Sequence, residues 1–79
     1  MYEPAEVTAR FDQQGKISPL RFTWQGQAYP VDSIGRQWED ESGLHYLVTS
    51  PIEQIFELRF TPEDRRWFVR RFGPKRAVV

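Results

Sequence analysis

Apolar and polar residues alternate in short runs along the chain, and turn residues separate these runs about every ten positions. The alternating runs of the first fifty residues are 6–11, 20–24, 28–38 and 44–49. A period of two places every second side chain on the same face of a β-strand. The spacing therefore predicts a small all-β domain.

The same alternation predicts which side chains share a face. The apolar sets are Val7, Ala9 and Phe11; Leu20, Phe22 and Trp24; and Leu44, Tyr46 and Val48. Polar segments containing Gly15, Gly26 and Gly43 supply turns between the runs. We expect the strand over residues 28–38 to bend near Pro30, because proline lacks a backbone donor, and Gly35 is a second candidate bulge.

The chain beyond residue 50 fits two interpretations. Ser50-Pro51-Ile52-Glu53 matches a helix capping box with proline at the first helical position, and Thr61-Pro62-Glu63-Asp64 offers a second start of the same kind. Against helices, residues 56–60 alternate strictly and residues 66–72 contain β-preferring residues. We favour a final hairpin that turns at residues 62–65, with one or two short C-terminal helices as the alternative.

A meander of six short strands has to cover its apolar face, so we predict that the sheet curls into a small SH3-like barrel. The predicted domain covers residues 1–72, and residues 73–79 form a basic C-terminal tail. The chain has no cysteine, which excludes a disulfide framework and a zinc ribbon. Its twelve aromatic residues must therefore fill the core of this 79-residue chain.

Charge is distributed unevenly along the chain. Residues 1–64 carry eleven acids and five bases, whereas residues 65–79 carry six bases and no acid. The basic end either binds a polyanion such as a nucleic acid or neutralises the acidic body within the same fold. The apolar runs are far shorter than a membrane span, and acids stand where a secretory signal would carry bases, so we expect a cytoplasmic protein without membrane contact.

The basic end mixes cations with aromatic rings, as single-strand-binding surfaces do. On a strand, alternation places Arg66, Phe68, Arg70 and Phe72 on one face, with Trp67, Val69 and Arg71 on the other. The residues that we predict to bind a nucleic acid or another partner are Arg66, Phe68, Arg70, Arg71, Phe72, Lys75 and Arg76. The alternative is that one aromatic set belongs to the core and the arginines are solvated edge charges.

Catalytic and metal-binding chemistry lacks support in the sequence. Asp32, Ser33 and His45 are the residue types of a nucleophilic triad, but no strained nucleophile turn or glycine-rich oxyanion segment accompanies them. We expect His45 to be a partly exposed strand residue. One histidine and no cysteine leave a transition metal without its usual ligands, and residues 39–41 do not follow the calcium-loop pattern. We predict neither an enzyme nor a cofactor or metal site.

Three further aromatic residues, Trp24, Tyr29 and Trp38, fit two roles. Small aromatic-rich barrels present such residues as a groove for extended peptides. A domain of this size also needs bulky side chains in its core. Both interpretations remain open from the sequence.

The order of aromatic residues and turns over residues 6–72 resembles a small bacterial family of uncharacterised all-β domains. The resemblance lies in residues 21–31, Trp38, Tyr46, Phe56-Glu57-Leu58 and residues 66–71. Members of that family occur alone and also appended to proteins that resemble Y-family translesion DNA polymerases. The resemblance implies strands over residues 56–60 and 67–72 and a link to DNA transactions, and it implies no catalytic residue.

These observations predict a non-enzymatic binding module whose partner is single-stranded nucleic acid or a DNA-processing protein. The second hypothesis is a protein-interaction domain that uses an aromatic groove or an exposed sheet edge. The sequence leaves the oligomeric state open.

Overall fold

Two antiparallel sheets make up residues 1–74, the part of the chain that the computed structural model describes. A five-stranded sheet has the order β1-β8-β7-β6-β5, and a three-stranded sheet has the order β2-β3-β4. The strands are β1 (Glu3–Ala5), β2 (Val7–Phe11), β3 (Ile17–Trp24), β4 (Gln27–Pro30), β5 (Ser33–Asp40), β6 (Gly43–Thr49), β7 (Gln54–Thr61) and β8 (Arg66–Pro74). The predicted all-β class is thus confirmed.

The final hairpin forms as predicted, and the C-terminal helices do not. Strands β7 and β8 pair from Thr61↔Arg66 to Gln54↔Pro74, and the turn between them covers residues 62–65. The amide of Arg65 donates to the carbonyl of Thr61 at 2.7 Å, which closes this turn. Ser50 likewise closes a tight turn by donating its amide to the Gln54 carbonyl, instead of capping a helix.

The predicted six-stranded barrel is wrong: eight strands form two sheets, and within residues 1–74 the sheets do not close into a barrel. The single strand expected over residues 28–38 is divided between β4 and β5, which belong to different sheets. The break falls at Val31 and Asp32, directly after Pro30, which cannot donate to a continuing ladder. The eighth strand is β1, which was not predicted.

A bulge in β3 changes the predicted core. Thr8 pairs with Arg21, whereas Ala9 pairs with Pro19, so Leu20 is an extra residue on β3. Leu20 is consequently exposed, although the simple alternation placed it beside Phe22. Pro19 is buried in its place.

The core lies between the two sheets. Phe56 of β7 is at its centre, with its ring 5.0 Å from Phe22, 5.0 Å from Trp24 and 6.3 Å from Tyr29. The other buried members of this cluster are Ile17, Tyr46, Val48, Leu58, Phe60 and Val69. Because the core lies on one side of the five-stranded sheet, the other side of that sheet is left to face solvent; we call it the outer face.

Strand β8 continues through Pro74, so Gly73 and Pro74, placed in the predicted tail, pair with Ile55 and Gln54. The remainder of the tail, including the predicted binding residues Lys75 and Arg76, lies outside the described residues. No helix able to span a membrane occurs in residues 1–74.

Candidate binding face of the five-stranded sheet

Alternation along β8 divides its side chains between the core and the outer face. Trp67 packs on the core residue Phe60 at 4.9 Å between ring centroids, and Val69 is fully buried. Arg66, Phe68 and Arg70 therefore lie on the outer face, as predicted from the sequence. The β7–β8 register places Arg59 opposite Phe68 and Glu57 opposite Arg70 on this face.

A buried carboxylate, Glu57, organises the centre of the outer face. Its oxygens accept hydrogen bonds from the Tyr2 hydroxyl, from His45 Nδ1 at 2.6 Å and from Arg70 Nε at 2.8 Å. Only 1% of Glu57 is exposed. Burial raises the pKa of this carboxyl, but the three hydrogen bonds outweigh burial, so its pKa lies below the ordinary value. Burial and the bond to Glu57 raise the pKa of Tyr2 to about 12.

The network continues through His45 to the hairpin between β5 and β6. His45 Nε2 faces Asp40 Oδ1 at 2.9 Å and Ser42 Oγ at 3.0 Å. Hydrogen bonds from Ser42 and His45 lower the pKa of Asp40 to about 2. Trp38, opposite His45 in the register, stacks on the imidazole with 4.9 Å between centroids and an interplanar angle of 1°.

His45 is thus buried, with 4% exposed, and the expected partly exposed histidine is wrong. Alternation correctly placed its side chain opposite Tyr46 and Val48. What buries the ring is the Trp38 indole above it and the acidic groups at both nitrogens.

Ser42, His45 and Glu57 have the connectivity of a nucleophile, a base and an orienting acid. However, Asp40 Oδ1 accepts the Ser42 hydroxyl at 2.7 Å and also faces His45 Nε2. The Ser42 hydroxyl thus gives its hydrogen bond to Asp40 and not to the imidazole. The arrangement is therefore a hydrogen-bond network that fixes the hairpin. Asp32 and Ser33 make no contact with it among the side-chain bonds of residues 1–74.

Arginines and aromatic rings alternate across the rest of the outer face. The guanidinium of Arg59 lies 4.3 Å from the Tyr2 ring centroid and 4.9 Å from that of Phe68. The guanidinium of Arg66 also lies near Phe68, at 5.3 Å from its ring centroid. The guanidinium of Arg70 lies 5.1 Å from the ring centroid of Tyr2. Within the described part of the chain, Arg59 and Arg66 form no ion pair. Beside the Phe68 ring, these two cations are therefore available to an anionic ligand.

The five predicted binding residues that lie within residues 1–74 divide into three groups. Arg66 and Phe72 are exposed and Phe68 is half-buried, so all three are accessible on the outer face. Arg70 is held by Glu57, with its side chain 39% exposed. Arg71 is exposed opposite Phe56, away from the outer-face set.

Phe72 is displaced by an irregularity in the β7–β8 pairing. Phe56 pairs with Arg71 and Ile55 pairs with Gly73, so Phe72 is the extra residue. Phe72 is 50% exposed and, with Leu47 and Ile55, lines a cavity of about 410 Å³ at the β5 side of the outer face. The aromatic groove considered from the sequence does not form, because Trp24 and Tyr29 pack in the core and Trp38 packs on His45.

The sequence did not single out Tyr2, Glu57 or Arg59 for this face. The predicted final hairpin could have identified Glu57 and Arg59, because a turn at residues 62–65 pairs Arg59 with Phe68 and Glu57 with Arg70. Tyr2 carried no such signal, since it joins the face only through the pairing of β1 with β8. In residues 1–74 no cluster of three or more metal-ligating side chains is found.

Comparison of the chain with family models, with curated proteins and with solved structures gave no match.

Proposed function

We propose that the protein is a binding module whose outer face binds single-stranded nucleic acid. The observation that carries the proposal is the pairing of two arginines that lack a carboxylate partner within residues 1–74, Arg59 and Arg66, with the ring of Phe68 between them. Guanidinium groups contact phosphates, and exposed rings stack on bases without sequence preference.

Each type of contact has its own residues. Arg66 is exposed and is the residue suited to contact a phosphate. Phe72 is half-exposed and is the residue suited to stack on a base. Arg70 has a different role, because its bond to Glu57 leaves it as a support for the face rather than a free cation. We infer a link to DNA transactions also from the sequence resemblance to domains appended to proteins that resemble Y-family translesion DNA polymerases.

The test is a fluorescence anisotropy titration with labelled single-stranded DNA and RNA of about 12 nucleotides, a length that matches small single-strand-binding domains. With two phosphates neutralised, one each by Arg59 and Arg66, we expect the logarithm of the association constant to fall with that of salt concentration with a slope of about −1.4. Arg66→Glu should weaken binding about tenfold at low salt and make the slope shallower by about 0.7. Phe72→Ala should cost about 1 to 3 kcal/mol, the value of one stacked base, with the slope unchanged.

The matched control is Arg21→Glu, which makes the same charge change at an exposed site on β3 of the other sheet. It should bind as wild type does, apart from a small effect of net charge. Absence of binding at about 20 mM salt and about 100 µM protein would refute the proposal. Equal weakening by Arg66→Glu and Arg21→Glu would refute the outer face as its location.

A protein-interaction domain is the second candidate, and one observation favours it. Within residues 1–74, strand β5 has β6 on one side and forms a free edge of the five-stranded sheet on the other. Free edges accept further strands through backbone hydrogen bonds.

A further inference from the structure

Among the strands of residues 1–74, β5 is the longest that lies at a free sheet edge. It has eight residues, whereas β1, at the opposite edge of the same sheet, has three. Residues 36–40 of β5 are exposed apart from Trp38. Charged side chains on an edge usually oppose pairing with another strand. The charges on β5, however, favour pairing when the second strand is β5 of another copy of the protein.

Three side chains of this edge share one side of the sheet. The Arg36 guanidinium lies over the Trp38 ring at 5.1 Å, and Trp38 stacks on His45 of the outer face. Asp40 reaches the same histidine. Arg36 therefore lies two residues before Trp38 and Asp40 two residues after it, with all three side chains on the same face of the strand.

We propose that the protein forms a twofold dimer in which β5 pairs antiparallel with β5 of a second copy, centred on Trp38. In this register Arg36 of each copy faces Asp40 of the other, and Gln37 faces Glu39. Isologous pairing repeats each contact twice, so one opposite-charge pair becomes two. The inference does not depend on nucleic-acid binding.

Neighbouring registers lack this complementarity. Centring on Gln37 sets Arg36 against Trp38 and leaves Asp40 opposite Ile34. Centring on Glu39 sets the two Glu39 side chains against each other, and like charges directly opposite destabilise a strand pair. Charge thus selects the register centred on Trp38.

Both partners of the proposed ion pair are available. Within residues 1–74 Arg36 forms no ion pair, and its guanidinium lies over the Trp38 ring. The contacts of Asp40 with Ser42 and His45 all use Oδ1, which leaves Oδ2 for a second copy. The Asp40 side chain is 51% exposed, consistent with access from outside.

An edge pairing of this length buries less than about 1,000 Å² without help from a large apolar surface, so we expect a weak dimer with a dissociation constant on the order of 100 µM. Sedimentation velocity and amide-shift dilution series from about 10 µM to about 1 mM cover this range. Wild type should approach the dimer mass at the upper end, and the amide signals that shift should be those of β5.

Arg36→Glu sets carboxylates against each other at both symmetric positions and should weaken association at least about tenfold. The matched control is Arg10→Glu, the same charge change on β2, which is an edge strand of the other sheet. It should dimerise as wild type does. A mixture of Arg36→Glu with Asp40→Arg should form a heterodimer, because each variant repels itself and complements the other.

A wild-type chain that stays monomeric at about 1 mM would overturn the proposal. A dimer that Arg36→Glu and Arg10→Glu affect equally would overturn the assignment to β5. The wild-type and Arg36→Glu series decide the question even if Asp40→Arg fails to fold after losing its bonds to Ser42 and His45.

Discussion

Replacing Glu57 with glutamine removes the negative charge at the centre of the outer face and preserves the shape of the side chain. Each of the three donors, Tyr2, His45 and Arg70, then loses a charged acceptor. A hydrogen bond to a charged group contributes about 1.5 to 3 kcal/mol and a neutral one about 0.5 to 1.5 kcal/mol, so each bond weakens by about 1 kcal/mol. The expected loss of unfolding free energy is about 3 kcal/mol.

The loss of about 3 kcal/mol is a lower bound, because the three donors are divided between the two oxygens of Glu57. Arg70 donates to Oε1, whereas Tyr2 and His45 bond to Oε2. A glutamine has one oxygen, so its NH₂ group must face donors on one of these sides. Removing one member of a buried ion pair costs about 3 to 5 kcal/mol in measured cases, and the estimate lies at the lower end of that range.

Urea unfolding at neutral pH, followed by tryptophan fluorescence, measures the effect. A loss of about 3 kcal/mol also corresponds to a thermal midpoint lower by roughly 12 to 24 °C for a domain of this size. Arg66→Met is the control, because Arg66 is exposed and forms no ion pair in residues 1–74, and it should change stability by less than about 0.5 kcal/mol. A Glu57→Gln variant within about 1 kcal/mol of wild type would show that the network contributes nothing net, contrary to this reasoning.

The acidic groups of the network make stability depend on pH, and Gly43 of the β5–β6 hairpin tests the steric fit of that turn. The pKa values of Glu57 and Asp40 in the folded protein lie below their ordinary values, at about 2 for Asp40. The stability that these two carboxylates contribute is therefore complete above about pH 5 and is lost as pH falls through the folded-state pKa values. Unfolding free energy measured against pH should show this loss, with a smaller slope in Glu57→Gln. Gly43 has φ +136°, and a Cβ there would lie 2.2 Å from the Phe60 carbonyl oxygen. Gly43→Ala should therefore cost at least about 2 kcal/mol more in urea unfolding than Gly15→Ala, which has positive φ but open space around it; equal costs would contradict the steric argument.

Local patterns sufficed for the final hairpin. Residues 56–60 alternate strictly, and Pro62 with the polar residues after it ends the strand. Both strands and the turn are contiguous in sequence, so no distant contact is needed to define them. The division of β8 into a core side and an outer side then follows from alternation alone.

Contacts between distant segments decided the features that sequence reasoning missed. Strand β1 has three residues and includes Pro4, and it is a strand only because β8 supplies its partner. The burial of His45 depends on Trp38 and on Glu57, which lies on another strand. The exposure of Leu20 arises from a bulge that only the β2–β3 register reveals.

The two sides of the five-stranded sheet meet different physical demands. The core side is fixed by apolar packing around Phe56, which needs only shape and volume. The outer side carries several cations, and without a buried acid these would repel one another. Glu57 neutralises Arg70 and orders Tyr2, and the Tyr2 ring in turn holds the Arg59 guanidinium against Phe68. The cation is thereby positioned before any ligand arrives, so binding an anion there requires less loss of side-chain freedom than binding to a mobile arginine.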